Sequence, residues 1–568
     1  MSHRLHSDYL AYDDMMDLLK SWEERYPDLV SVSEAGRSAE GRVIPAVSVT
    51  DQSQGADHFK PALYVDANQH AGELAGFLVV RALVERLVDG FGSDEAITRL
   101  LQKFCFYILP RVSPDGAEKY LHDADFLRSS AREHPGTQRE GIRPSDVDGN
   151  GIILTMRRPD PNGDWVESRQ DSRLMVPRPP GQRQTGRTYY RLYPEGLIEG
   201  DPVQDPEPLP TPFGLDFNRN YPGTWRSEKT QGGSGPFPLS APETRAVADF
   251  VSGHQNIALA VTLHTWGGFM LRPPCTHPDS ELPRADLEAL LALGGAAEEA
   301  VGYRVMSIND DFASIASPPY GSLVDFFYHV RGILCFAPEL WSLPARAGIT
   351  KFSLKDSQRL LPQEAEQDGL RILQWLDENL QGEGLYPFEP FDHPQMGPVE
   401  IGGWDLKAVV QNPPPAIFES ERDGMVDYLL VLAGSLPLIQ PQEVQARRVS
   451  EDVYRFSVQV TNSGYLPTSG SEQAQKRDLA PEVRATVILP PGGQLLDGTR
   501  SQDLGHLEGS RPVTGLPVGL AASGRTSARA TWLARLADPE SDRVEAEVVS
   551  ARGGRISLTL KTGEGETP

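Results

Sequence analysis

The stretch PALYVDANQHAGELAGFLVV, residues 61–80, changes character in its middle. Residues 61–66 form an apolar run of the length of a buried strand, and from Glu73 to residue 91 apolar residues recur at helical spacing. His70 and Glu73 fall between the two. That is the carboxyl end of a strand, where open α/β sheets place their ligands. One turn apart, an imidazole and a carboxylate can converge on a single cation. The same spacing also suits the polar first turn of an ordinary helix, whose dipole favours Glu. The stretch by itself allows both readings.

The arrangement recurs twice. The run IALAVTL (257–263) reads as a buried strand followed at once by His264, and GILCF (332–336) is followed by Ala-Pro and then Glu339. A hydrolytic zinc site takes three protein ligands, keeps a fourth position open and lowers the pKa of water toward ~7. His70, Glu73 and His264 are the right donor types for it. Glu339, desolvated beside a cation, suits a general base. Plainer readings exist: a hydrogen-bonded strand-end histidine for His264, and a structural acid paired with a buried arginine for Glu339. In GLDFNRNYPGTW (214–225), Arg219 can grip a carboxylate by two charge-assisted contacts and Asn218 can donate an amide N–H to it. As a turn rich in Asn and Pro, this stretch could equally carry a solvated arginine.

The 568 residues are 39% hydrophobic and 23% charged, enough for two to four domains with real cores. A formal net charge of −25 argues against a broad nucleic-acid or anionic-membrane surface. No apolar run approaches a membrane span, and the N-terminal sequence lacks the layout of a signal peptide. With three cysteines, of which Cys105 and Cys335 lie in strand-like apolar runs, a disulfide framework is not expected and a cytoplasmic location is.

Helical and strand patterns alternate from about residue 9 to 385, predicting an α/β catalytic domain over 1–385. FCFYILP (104–110) is a further strand, Ser240 and Glu243 form a capping-box pattern that opens a helix, and 362–381 reads as the closing helix. Residues 120–212, rich in Pro, Gly, Arg and Asp, read as an insertion of long loops and short hairpins. Residues 386–436 read as a proline-rich linker with a short helix near 421–433, and 437–568 as an antiparallel β-sandwich.

In order along the chain, NQHAGE, VSPDG, DFNRNYPGTW, LHTWGG and FAPELW resemble the zinc carboxypeptidase (M14 metallocarboxypeptidase) family over about residues 9–385. The resemblance implies an α/β fold with a mixed, eight-stranded central sheet flanked by helices. It implies one catalytic zinc held by His70, Glu73 and His264, with Glu339 as the base that activates water. Asn218 and Arg219 would bind the free C-terminal carboxylate of a peptide or peptide-like substrate. The family's carbonyl-polarising arginine is matched to Arg157 in ILTMRRPD, with Arg158 as competitor, and its mobile tyrosine to Tyr320. Ala71 stands where the family often carries an arginine. The implied activity is zinc-dependent removal of C-terminal residues; the net charge and the lack of an apolar span, not the resemblance, predict no nucleic-acid or membrane partner. A zinc amidase or deacylase acting on peptidoglycan-like or acylated amino-acid substrates would use the same centre without needing the carboxylate. A non-catalytic scaffold is the third reading.

DVDGNG (146–151) lies in the insertion. Asp146, Asp148 and Asn150 with Gly151 fit the first half of a calcium loop, but Arg157 occupies the twelfth position, where a bidentate Glu belongs. A complete EF-hand is excluded. Either the acids bind Ca2+ with a remote partner, or they make a tight turn that aims Arg157 into the site.

Overall fold

A computed structural model of the chain describes residues 8–134, 136, 138–178, 186–201, 205–313, 318–349, 362–510, 524–538 and 543–561. Its centre is a mixed eight-stranded sheet in the order Val30–Arg37, Val43–Val49, Cys105–Leu109, Ala62–Ala67, Ile257–Thr265, Leu334–Leu340, Phe269–Arg272, Arg304–Ser307. The middle strands are continuous apolar runs because both faces of the sheet are covered. Leu63, Val65 and Ala67 enter one core and Ala62 and Tyr64 the other, the two-residue period of a strand. The first core is shared with the helices Ala75–Gly90, Arg284–Val301 and Pro415–Gly434, and the second with Pro242–Gly253.

Ala62–Ala67, Ile257–Thr265 and Leu334–Leu340 run parallel as neighbours, so their carboxyl ends share one edge of the sheet. The register sets Leu263 beside Ala67 and His264 beside Glu339.

Residues 386–404 are not a linker. Leu385–His393 and Gly397–Trp404 form a hairpin that joins strands of the insertion (Thr155–Pro159, Tyr190–Pro194, Trp165–Glu167 and Met175–Pro177) in one six-stranded antiparallel sheet. Proline is compatible with this because Leu385–His393 lies at the edge and Pro398 near the start of its strand. The helix expected near 421–433 spans Pro415–Gly434 and belongs to the core of the α/β domain. The expected capping box does not form. Ser240 Oγ accepts from Asn220 Nδ2 at 2.9 Å, and Glu243 accepts the N–H of Ala39 at 2.8 Å. The helix opens instead with Pro242, whose missing N–H costs nothing in a first turn.

Two four-stranded antiparallel sheets follow, Ile439–Arg448, Val453–Asn462, Ser527–Arg535, Gln494–Asp497 and Ser501–Asp503, Arg484–Ile488, Val544–Ser550, Gly554–Leu560, around Phe456, Val487 and Trp532. They dock on the α/β domain through polar contacts. Arg552, 2% exposed, donates to the carbonyls of Gly332 (2.9 Å), Arg331 (2.5 Å) and Ser469. Buried Asp286 accepts the N–H groups of Glu472 (2.7 Å) and Gln473 (2.9 Å) and the hydroxyl of Tyr328 (2.9 Å). A buried guanidinium is tolerated only while its donors are satisfied, and the carbonyls it serves are buried with it. Arg552→Ala is expected to destabilise the protein by about 2–4 kcal/mol. Urea denaturation would register this as an earlier first transition, and an unchanged midpoint would mean the joint adds no stability.

Candidate metal centre

The loop after Ala67 is shaped by its own asparagine. Asn68, at φ 59°, donates through Nδ2 to the carbonyls of His70 (2.7 Å), Ala71 (3.1 Å) and Glu73 (3.4 Å). Asn tolerates a left-handed backbone better than most residues. His70 and Glu73 therefore precede the helix Ala75–Gly90 and face the end of Ile257–Thr265, rather than sitting in a helical first turn. His70 Nδ1 lies 2.7 Å from Glu73 Oε1, and His264 Nδ1 lies 2.9 Å from Glu73 Oε2 and 3.2 Å from His70 Nδ1. All three side chains are buried.

The outer nitrogens are engaged as well. His70 Nε2 is 3.2 Å from Asp216 Oδ1, and His264 Nε2 is 3.4 Å from Thr262 Oγ1. Arg128 Nε donates to Asp216 Oδ2 at 2.8 Å, and its Nη1 stands 3.6 Å from Glu73 Oε1. Burial pushes the carboxyls of Glu73 and Asp216 up, but the cationic groups facing them prevail. His70 and His264 hold Glu73 well below the usual carboxylate range, and Arg128, Arg219 and His70 do the same for Asp216. Glu339 moves the other way: desolvation, reinforced by the charge of Glu73, lifts its carboxyl to about 7 against His264, Arg128 and Arg219. Two imidazoles and an ionised carboxylate with converging ligand atoms, their outer nitrogens oriented by an acid and a hydroxyl, fit a zinc ion.

Asn218 and Arg219 occupy the short turn Phe217–Arg219 beside this cluster. Asp216 Oδ1 also accepts the N–H of Asn218 at 2.8 Å, so the acid that orients His70 positions the turn too. Asn218 Oδ1 accepts the N–H of Leu323 at 2.8 Å. Gly321, at φ 70°, passes so close to this turn that a Cβ would lie 2.3 Å from the carbonyl oxygen of Arg219. Tyr320 belongs to the same segment, but its backbone is clasped by the side chain of Gln231 (2.8 and 3.1 Å) and its ring lies under the guanidinium of Arg226 at 4.8 Å.

Arg157 is not brought to the cluster. Its guanidinium is sandwiched between the rings of Tyr190 (4.6 Å) and Phe388 (4.3 Å) and paired with Glu167 (2.9 Å) and Glu400, inside the six-stranded sheet. Arg158 donates to the hydroxyl of Tyr193 at 3.1 Å. The arginine that reaches Glu73 is Arg128, whose carbonyl accepts the N–H of Ala71 at 2.9 Å. A single arginine in an irregular stretch has no spacing to mark it. Asp216, two residues ahead of Asn218, could have been singled out as an acid beside the anchor.

The DVDGNG turn acquires a partner that no local pattern indicated. Ligand atoms of Asp146, Asp148 and Glu195 lie within 4.8 Å of one another. Glu195 is fully buried and accepts the N–H groups of Val147 (2.7 Å) and Leu154 (2.8 Å), and burial pushes its carboxyl up to about 7.

Fold and site together place a candidate metal centre at one edge of an α/β sheet. The zinc carboxypeptidase family (Peptidase_M14) matches residues 15–367, more than half of the chain, and the chain belongs to that family. Residues 438–561 match a domain of unknown function, DUF8731. Carboxypeptidase A2 of Rattus norvegicus is 25% identical over 322 residues, 55% of this chain and 58% of the relative. This chain thus spans less than two thirds of that relative's length. Carboxypeptidase B of Astacus astacus is 28% identical over 157 residues, 28% of this chain and 44% of the relative. Among solved structures, carboxypeptidase A of Helicoverpa armigera matches at 17% identity and a TM-score of 0.39, over 66% of this chain and 73% of that one.

Asp216→Asn keeps the shape of the acid but removes the charge facing His70 and Arg128. Zinc affinity is expected to fall about 10- to 100-fold. Competition with a chromophoric chelator measures it, and an unchanged affinity would deny Asp216 this role.

Proposed function

We propose that the chain is a zinc-dependent carboxypeptidase that removes C-terminal residues from peptides or peptide-like substrates. One observation carries the reading: the metal triad, Glu339 and the Asn218–Arg219 pair gather at one sheet edge, with Asp216 touching both His70 and the turn that holds the pair. Zinc, when bound, supplies Lewis acidity that acidifies water and polarises a carbonyl.

Glu339 takes the proton of the attacking water and delivers it to the amine nitrogen as the C–N bond breaks, so the amine leaves neutral. Burial raises this carboxyl to about 7 and a bound cation would lower it again, so that it is ionised and able to accept the proton near neutrality. Oxyanion stabilisation is assigned to Arg128 rather than Arg157. The former lies 3.6 Å from Glu73 with its side chain 40% exposed, whereas the latter is consumed by Glu167 and Glu400. Asn218 and Arg219 hold the terminal carboxylate, which confines cleavage to the last bond.

Glu339→Gln should keep the metal and lose turnover, and retained turnover would remove Glu339 from the base role. Only its ionised form accepts a proton, so kcat/KM should fall as pH drops through its pKa, which an adjacent cation moves below about 7. Arg128→Ala should lower kcat about 100- to 1,000-fold while leaving zinc bound. Paired assays of a peptide and its C-terminal amide test the exo mode. Rejection of the amide supports the carboxypeptidase, and equal hydrolysis of both favours an amidase or deacylase.

A calcium ion at Asp146, Asp148 and Asn150 is proposed as well, with Glu195 as the remote carboxylate in place of the absent twelfth ligand. Support comes from the three carboxylates whose ligand atoms lie within 4.8 Å of one another. Calcium should raise the thermal midpoint of the wild type and leave Asp146→Asn unmoved, and a wild type indifferent to calcium would reject the site.

A further inference from the structure

Asn412 lies outside residues 15–367, the part of the chain the zinc carboxypeptidase family matches, yet its side chain is fully buried against the metal loop. Its Oδ1 accepts the N–H of Leu74 at 2.9 Å, and its Nδ2 donates to the carbonyls of Gly72 (2.8 Å) and Lys407 (3.0 Å). The carbonyl at 72 and the N–H at 74 belong to the two peptide groups that flank Glu73. One side-chain amide therefore grips both, as a neighbouring strand would, and leaves the backbone of Glu73 little freedom. Asn68 holds the loop from within, and Asn412 holds it from across.

The segment that delivers Asn412 is itself anchored. Asp405 accepts the N–H groups of Lys407 (3.0 Å) and Ala408 (2.9 Å), and Lys407 Nζ donates to the carbonyls of Tyr120 (3.0 Å) and Asp123 (2.7 Å). Trp341 Nε1 donates to the carbonyl of Val409 at 2.9 Å, and the Tyr9 hydroxyl to that of Pro413 at 2.5 Å. Gln411 accepts the Tyr120 hydroxyl at 2.6 Å. Tyr120 and Gln411 fill the space beside Gly72, where a Cβ would come within 2.4 Å of the ring and 2.8 Å of the amide oxygen. The metal loop and the 405–413 segment are thus fitted to each other over several residues.

We propose that Asn412 is a positioning residue of the metal centre: by fixing the peptide groups on both sides of Glu73, it sets where the Glu73 carboxylate stands relative to His70 and His264. The inference rests on the triad holding zinc. A ligand already ordered by its backbone loses less freedom when the ion arrives, and the gain appears as affinity.

The test uses the full-length protein and three readouts: zinc affinity by chelator competition, the visible absorption of the cobalt-substituted protein as a report on ligand geometry, and the thermal midpoint. Asn412→Ala, and the near-isosteric Asn412→Asp, whose ionised carboxylate cannot donate to Gly72, should weaken zinc binding about 10- to 100-fold and shift the cobalt bands. Tyr9→Phe releases the segment at Pro413 without touching residues 72–74. It should lower the thermal midpoint and leave zinc affinity and the cobalt bands as in the wild type. Folded Asn412 variants with wild-type zinc affinity and cobalt bands overturn the proposal. So does a Tyr9→Phe variant that weakens zinc as much as Asn412→Ala, because the effect would then be general loosening. A wild type that binds no zinc overturns the metal centre and this inference together. A wild type that binds zinc but cleaves no peptide overturns only the peptidase reading, and the role of Asn412 is still decided by its zinc affinity.

Discussion

A carboxylate with almost no water around it stands at the centre of this molecule. Burial by itself would protonate Glu73, and the facing imidazoles of His70 and His264 keep it ionised. Arg128 approaches from the open side, and Asp216 in turn balances both Arg128 and His70. Arg128 and Asp216 form an ion pair at 2.8 Å beside the triad, so each of these two charges loses its water to a partner of opposite sign. Where water is excluded such attractions are strong, and so is the cost of removing one member. The geometry of the site has to be held tightly for that reason.

The sheet supplies most of the holding. Parallel strands whose carboxyl ends share one edge make His264 and Glu339 direct neighbours, and no loop is needed to bring them together. Asp216 then links this edge to the turn carrying Asn218 and Arg219, so the candidate metal centre and that turn share one acid. Distant parts of the chain return to reinforce the arrangement. The hairpin Leu385–His393 and Gly397–Trp404 closes a sheet with the insertion, and the helix Pro415–Gly434 completes the core. The β-domain grips residues 331 and 332 through Arg552, a few positions beyond the Leu323 N–H that Asn218 accepts.

How much of this could be read beforehand depended on the range of the interaction. Strands and helices around Ala62–Ala67, Ile257–Thr265 and Leu334–Leu340 were legible because burial imposes a period on neighbouring residues. The residues at the strand ends followed, since position along a strand is local information. Arg157 was matched to a catalytic role by its place in the order of motifs. In the folded chain, two acids and two aromatic rings hold it in another sheet. The capping box at Ser240 and Glu243 failed for a similar reason: both side chains found tertiary partners, Asn220 and Ala39, in preference to each other. Prolines at 387, 390 and 398 read as a linker because their tolerance at a sheet edge depends on which strand lies next to them.

By itself the sequence determined the class of fold, the order of its ligand-bearing strand ends and the donor types His70, Glu73, His264 and Glu339, because these follow from short-range periodicity and side-chain chemistry. Tertiary structure alone decided that Arg128 faces Glu73, that Glu195 closes on the Asp146 turn and that Asn412 clasps the metal loop. Each of those pairings joins residues separated by tens to hundreds of positions, and only the packing of whole elements brings them within hydrogen-bond or ion-pair range.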